Sequence, residues 1–553
     1  MIPFFTLFTY YWIICFAIIG FGVLFSKIFI KDNNVNVGYL GLYGIFVITI
    51  ISYVSNFFIA HGLIFNSLII ITGILNFISL FNFNKNKKIL KETVVVFSLL
   101  FIFIVVFKNH DDFSYYHFAY THLLTEHKAM IGLGYFNHGF RTPSSIFYIS
   151  SIFYLPFAKY FLFHLSAAYF LGFANLILYK KIQEKKDIKN NLYLIYLSLF
   201  SLAFINIFFY RLGEHGTDRS AMILIFILAI ETIFLINFSE KKIRDEVTIY
   251  KVMILITLIF TLKAFYMLYG IFFLLILYYE KNTKKFIISI ITNKIFYLCT
   301  LLTICVFLIT FLNTGCLIYP VKLFCFPSAE WSISINEIEL MNNHYQLWSK
   351  AGLTPHFRVD NAEIYIQKFN WVLNWIDKYF FNKVSDFLLS LILLVIIFFL
   401  FFFKKKNVSV TKKNFYVFYL ILILLFIEWF YFHPALRYGG YHLIALLFFI
   451  PSALILEKYS KNLKFLNSKI NIMILIIIAV FLSRNVNRIY QEYKFYNYNF
   501  LKNINYNIDE NYFFIDKRIK KIIKCQEKLL EINCNDYILS TEKFGTKMFY
   551  KKK

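Results

Sequence analysis

Continuous apolar runs, many of about 18 residues or more, recur along most of this chain and limit its fold more than any motif does. They lie at roughly 3–25, 38–60, 62–81, 93–107, 158–179, 192–210, 219–238, 252–279, 286–312, 386–403, 414–432, 441–457 and 470–483. The runs are unbroken rather than alternating. Spans built from them are therefore helical, because in lipid each backbone N–H and C=O must find its partner within the segment. The expected fold is all-α, a polytopic transmembrane helical bundle with about 13–14 spans. Composition agrees, at 59% hydrophobic, 16% charged and a mean hydropathy of +0.63. The N-terminus lacks a basic leader and a small-residue cleavage site, so residues 3–25 read as a first span and not as a removable signal peptide.

The connections sort into two kinds. One is basic: 84–91, 180–189, 240–246, 280–285, 404–413 and 457–464. Lys and Arg next to short loops mark the cytoplasmic side. The other kind is poor in Lys and carries Asp, His, Glu and Arg: 108–157, 211–219, 313–385 and 432–440. Alternating sides along the chain puts all four on the opposite, outer face. The formal charge of +26 is scattered in the short basic connections, which is a topology signal and not a nucleic-acid groove, so no nucleic-acid partner is expected.

One run strains this scheme. Residues 252–279 are flanked by basic clusters on both sides and are too long for one level span. Two short helices turning at Leu262–Lys263–Ala264 would restore the alternation and bring Lys263 to the outer face. A single tilted helix with a snorkelling Lys263 is the other reading. In the large outer segment, Trp371, Val372, Trp375, Ile376, Tyr379 and Phe380 share one helical face, suited to the membrane surface or to packing on the bundle. Residues 1–483 read as one membrane region, and 484–553 as a polar, extracytoplasmic tail.

Chemistry concentrates in the outer segments. Asp111 and Asp112 stand just past an apolar run, where a carboxylate pair is costly outside water or a polar cavity. They could act as general base or as ligands for Mg2+ or Mn2+; helix capping is the plainer role. His110 precedes them. Arg141 could hold a phosphate or a lipid headgroup. The segment 211–219 packs Arg211, Glu214, His215, Asp218 and Arg219 into nine residues, as a site or as a self-contained salt-bridge knot. Lys263, and Arg437 with His433 and Tyr438, add cations and polar groups at the same face. Several cations converging there would suit a phosphate or diphosphate. Cys316 with Cys325, and Cys525 with Cys534, are disulfide candidates if that face is oxidising, with free buried thiols as the alternative. The histidines lack a metal-ligand spacing, and the chain has no Walker loop, GxSxG elbow or GxGxxG.

With these residues in view, the chain resembles the GT-C superfamily of polytopic membrane glycosyltransferases. The resemblance is carried by Asp111–Asp112 soon after a span, by the late turn His433-Pro434-Ala435-Leu436-Arg437-Tyr438, and by the layout of residues 1–483. The blocks HDDFSYYH, EHGTDRS, GCLIYP and LRYGG look like those of an uncharacterised bacterial GT-C-like family. The acidic pair is adjacent instead of spaced, and the tail is not covered. The resemblance implies a polyprenyl-phosphate-linked sugar donor used at the outer face of the bacterial inner membrane, a glycan or lipid-linked acceptor, and a role in cell-surface glycan assembly. Asp111, Asp112, Glu214 and Asp218 would be the acidic groups, with Arg141, Arg211, Arg219, Lys263 and Arg437 facing the phosphate and His110, His215, His433 and Tyr438 in support. A polysaccharide polymerase or ligase, and a lipid-linked sugar flippase, are the competing expectations.

Overall fold

In the computed structural model the described residues are 4–31, 36–183, 188–214, 216–238, 246–353, 359–403, 415–459, 463–502, 506, 508–526 and 537–551. Most of each apolar run read from the sequence is helical. Among the described residues, nine helices are long and apolar enough to cross a membrane, and three shorter apolar helices accompany them at Leu192–Phe208, Ala264–Tyr278 and Tyr416–Phe432. The helix Thr217–Phe238 lies at the centre, with every side chain from Ala221 to Ile230 fully buried. The helix Leu63–Leu80 lies at the edge and turns Ile64, Leu68, Ile71, Leu75 and Ile78 outward at helical spacing.

Small residues set the closest approach. A Cβ added to Gly22 would sit 1.7 Å from the Leu40 carbonyl oxygen, and one on Gly44 would sit 1.8 Å from that of Ile18. The helices Phe4–Phe25 and Val37–Asn56 thus meet backbone to backbone, the packing that apolar surroundings favour because burial alone cannot drive association there. Elsewhere rings fill the core, as where Tyr53 stacks on Tyr148 with centroids 3.8 Å apart.

The run 252–279 is two helices with a break at Lys263, the first of the two readings: Glu246–Leu262 ends there, and the extended φ/ψ of Lys263 breaks the ladder before the turn Ala264–Gly270 and the helix Ile271–Tyr278. In three places the structure departs from the sequence reading. The run 286–312 is also two helices, because the Asn293 side chain caps a new start by accepting from Ile295 N–H. The last apolar run does not stop at 483. Its helix continues to Tyr496, since Asn485, Arg488 and Glu492 are buried on one face, where Asn485 accepts from Arg488 while Arg488 and Glu492 bond to residues 102–107. Finally, the fold is nearly all-α and not all-α: the tail holds an antiparallel hairpin, Ile538–Lys543 with Thr546–Lys551. Its two-residue loop, Phe544 and Gly545, has positive φ at both positions, the turn that matches strand twist.

The tail is docked. Ile131 and Phe549 exchange backbone contacts, with Phe549 N–H donating to Ile131 carbonyl at 2.9 Å and Ile131 N–H to Lys547 carbonyl at 3.0 Å. Gly132, at φ 81°, allows this: a Cβ there would lie 2.0 Å from the Phe549 oxygen. The helix Phe514–Gln526 packs on the helix Phe118–Glu126 through its apolar face of Ile515, Ile519 and Ile522.

Close helix packing generates a stability prediction. Gly44→Ala should cost about 1–3 kcal/mol through overpacking against Ile18 and lower the thermal midpoint of the purified protein. Gly270→Ala, which meets nothing within 4 Å at a helical φ/ψ, should not lower the midpoint.

Candidate functional site

Four helix ends meet in one chain of alternating charge. Asp218 occupies the first turn of Thr217–Phe238, where the exposed N–H groups favour a carboxylate. Lys263 sits at the break after Glu246–Leu262, with its Nζ 3.0 Å from Asp218 Oδ1. Arg437, between Tyr416–Phe432 and Gly440–Tyr459, places Nε 3.7 Å from Asp218 Oδ2 and Nη2 3.3 Å from Asp112 Oδ2. Asp112 opens the segment that follows Phe83–Ile104, and its backbone N–H donates to His110 Nδ1 at 3.1 Å. Lys263, Arg437 and Asp112 each keep part of their surface in solvent, whereas Asp218 is the most enclosed.

The turn that carries Arg437 is unusually well supported. Trp375 Nε1 donates to the Pro434 carbonyl at 2.8 Å, Trp429 Nε1 to the Ala435 carbonyl at 2.9 Å, and Leu436 N–H donates to the Tyr379 hydroxyl at 3.0 Å. Three side chains thereby satisfy backbone groups that a helix break leaves open. This decides between the two roles of the Trp371–Phe380 face: Trp371, Trp375 and Tyr379 are buried inside the protein, and Trp375 and Tyr379 hold the 432–440 turn. Gly439, at φ 147°, then releases the chain into the next helix.

Charge shapes the neighbours. Burial lowers the Arg437 pKa, but Asp218 foremost, then Tyr438, Asp112 and Tyr116, outweigh it and hold the guanidinium above its ordinary value. Tyr116 lies amid the same groups. Burial first, then Asp112 and Asp218, push its phenol well above the usual range, so it stays a proton donor. Nothing in the sequence distinguished Tyr116 from the other 40 tyrosines of the 41 in the chain.

The remaining candidates divide. Arg141 is engaged within the protein: its Nε donates to the Gly134 carbonyl, Nη1 to the Tyr319 hydroxyl and Nη2 to Glu337, so it is a buried tie between distant segments of the chain. Lys551 reaches the same Glu337 at 3.5 Å. Arg219 rests 5.9 Å from the Phe209 ring centroid, and Arg211 is exposed. Glu214 closes the short turn Leu212–Glu214. His215 lies outside the described residues. Tyr438 stacks beneath the Arg437 guanidinium at 5.3 Å and meets His433 edge-on. Asp111 is exposed and forms no ion pair among the described residues. Cys316 and Cys325 form a disulfide; Cys525 is disulfide-bonded, and Cys534 lies outside the described residues.

Among the described residues, no three His, Cys, Asp or Glu groups converge as metal ligands. The Asp112 carboxylate faces Arg437, so the donor set considered for Mg2+ or Mn2+ is not gathered here, and no step below runs through an ion. A support the sequence did not reveal lies behind Asp112. Arg488 Nη2 approaches the Ile102 and Phe103 carbonyls at 3.4 and 3.5 Å, while Phe107 N–H donates to Glu492 at 3.1 Å. A cation at the carbonyl end of Phe83–Ile104 and an anion on the next free N–H fix the direction of residues 105–112.

Residues 4–444 match the family described as a domain of unknown function (DUF8201), and the chain belongs to that family. No curated protein and no solved structure matches it.

His433 supplies a pH prediction. Burial, then the charge of Lys350, lower its pKa from 6.5 to about 4. Between those values the unfolded chain binds the proton and the folded one does not, so stability falls as pH drops through the window. The loss reaches about 3 kcal/mol near pH 4. His433→Gln should flatten this part of the stability profile, measured by thermal melting between pH 7 and 4.

Proposed function

We propose that this DUF8201 protein is a multi-pass protein of the bacterial inner membrane and a GT-C-type glycosyltransferase. It takes sugar from a polyprenyl-phosphate-linked donor at the outer face and passes it to a glycan or lipid-linked acceptor. The observation that carries the reading is the charge chain Lys263–Asp218–Arg437–Asp112, assembled from four helix ends beside the exposed Asp111. Its members sit at helix ends, where a reaction at a lipid surface needs them, and not halfway along a helix as passage would require. The nine long apolar helices support the membrane setting.

The chemistry follows from the roles each group is free to take. Asp112 is engaged in aiming Arg437, which leaves Asp111 as the carboxylate open to an acceptor hydroxyl. Asp111 takes the proton as the acceptor oxygen bonds to the anomeric carbon, and the bond from that carbon to the phosphate oxygen breaks. The departing phosphate gains negative charge at that moment. Arg437 and Lys263 are the cations available to it, and Tyr116 can donate a hydrogen bond. Because the cations are already held by Asp218 and Asp112, they are oriented before the donor arrives.

Two substitutions test the division of labour. In vesicles carrying the full chain and the cell's own lipid-linked sugars, Asp111→Asn should lower transfer by about 10²- to 10⁴-fold, the usual cost of losing a general base. Asp112→Asn should weaken donor use by loosening Arg437. Transfer at the normal rate in both variants would sink the mechanism, and a deletion strain whose glycans keep every sugar by mass spectrometry would sink the activity.

A further inference from the structure

The loop closed by Cys316 and Cys325 leaves the helix Lys294–Thr314 after a single residue, Gly315. Its only charged residue is Lys322. Around it Val321 is 44% exposed, Leu323 85%, Phe324 40% and the adjoining Phe326 47%. Such a cluster at a loop tip is costly in water and would ordinarily fold inward. Here it is held out: Leu317 N–H donates to the Phe324 carbonyl and Phe326 N–H to the Gly315 carbonyl, both at 2.9 Å, on either side of the disulfide.

The apolar surface does not begin at the loop. Leu301, Ile304 and Leu308 point outward along Lys294–Thr314. Phe311 continues that line, and its ring meets Phe326 at 5.7 Å and Trp331 at 5.5 Å. Trp331 Nε1 donates to the Phe311 carbonyl at 3.0 Å, an apolar ring with its polar end occupied at the helix terminus. One uninterrupted apolar strip thus runs off the helix onto the loop, with a single cation beside its tip.

We propose that this disulfide-closed loop is an interfacial lipid anchor. Leu323 and Phe324 enter the boundary between headgroups and acyl chains where Lys294–Thr314 ends, and Lys322 stays at headgroup level. The inference rests on the membrane-spanning reading but not on glycosyl transfer. It also gives the loop a task. Lys322 pairs with Glu339 at 2.6 Å, and Glu337 on the same helix, Ile335–Lys350, binds Arg141. The anchor therefore sets the height of the loop layer above the lipid.

Nitroxide labels at single introduced cysteines in the full chain, in phosphatidylethanolamine–phosphatidylglycerol vesicles, test this. Leu323→Cys probes the tip, Leu393→Cys the outward face of Ser385–Phe402, and Leu340→Cys an exposed position on Ile335–Lys350. The expected result is that labels at 323 and 393 collide more with oxygen than with an aqueous nickel chelate, while 340 shows the reverse. A label at 323 that behaves like 340 while 393 stays lipid-like overturns the anchor alone. A label at 323 shielded from both quenchers also overturns it and points to a second copy or another protein. A nickel-accessible label at 393 overturns the spanning reading and the anchor with it.

Discussion

The guanidinium of Arg437 is the point on which the polar side of this protein turns. It bridges Asp218, which begins the central helix, and Asp112, which begins the first polar loop, and Lys263 adds a second cation to Asp218. Each charge is partly withdrawn from water, and each would be costly there alone. Together they satisfy one another, so the ends of four helices are held in a fixed mutual position by electrostatics as well as by packing. The guanidinium is in turn aimed by backbone bonds from Trp375, Trp429 and Tyr379 to its turn. Rigidity at this point comes from aromatic side chains spending their polar atoms on main chain.

Much of this was legible because topology is written in apolar runs and in where Lys falls between them. Side alternation alone brought Asp112, Asp218, Lys263 and Arg437 to one face, though it could not say that they touch. The break at Lys263 was legible for the same reason, since a long run with basic clusters at both ends has to turn. The ties of Arg141 were not legible, because a cation in a loop does not announce its partner: Glu337 lies 196 residues away and Tyr319 178. The end of the last helix was not legible, because the apolar run stops at 483 while the helix runs on to Tyr496. Arg488 is buried against the Phe83–Ile104 terminus. Tyr116 had no signal at all in a chain so rich in tyrosine.

The apolar half follows a different logic. Where Gly22 and Gly44 let main chains touch, neighbouring helices are locked by shape. Where Leu63–Leu80 turns its stripe outward, nothing among the described residues covers it. The tight helices carry the loops, and the loose edge faces the surroundings. That contrast fits a scaffold whose chemistry is confined to one rim and whose flank is left for lipid.

The strand contact between Ile131 and Phe549 has a consequence for how the molecule is made. A ribosome releases residue 131 long before residue 549 exists, so the early loop must wait, incomplete, until the hairpin has been made. Its Gly132 cradle closes only when that hairpin arrives and lays its backbone alongside. Completion of this loop is thus a late event in synthesis, and a chain interrupted before residue 549 would leave it unfinished.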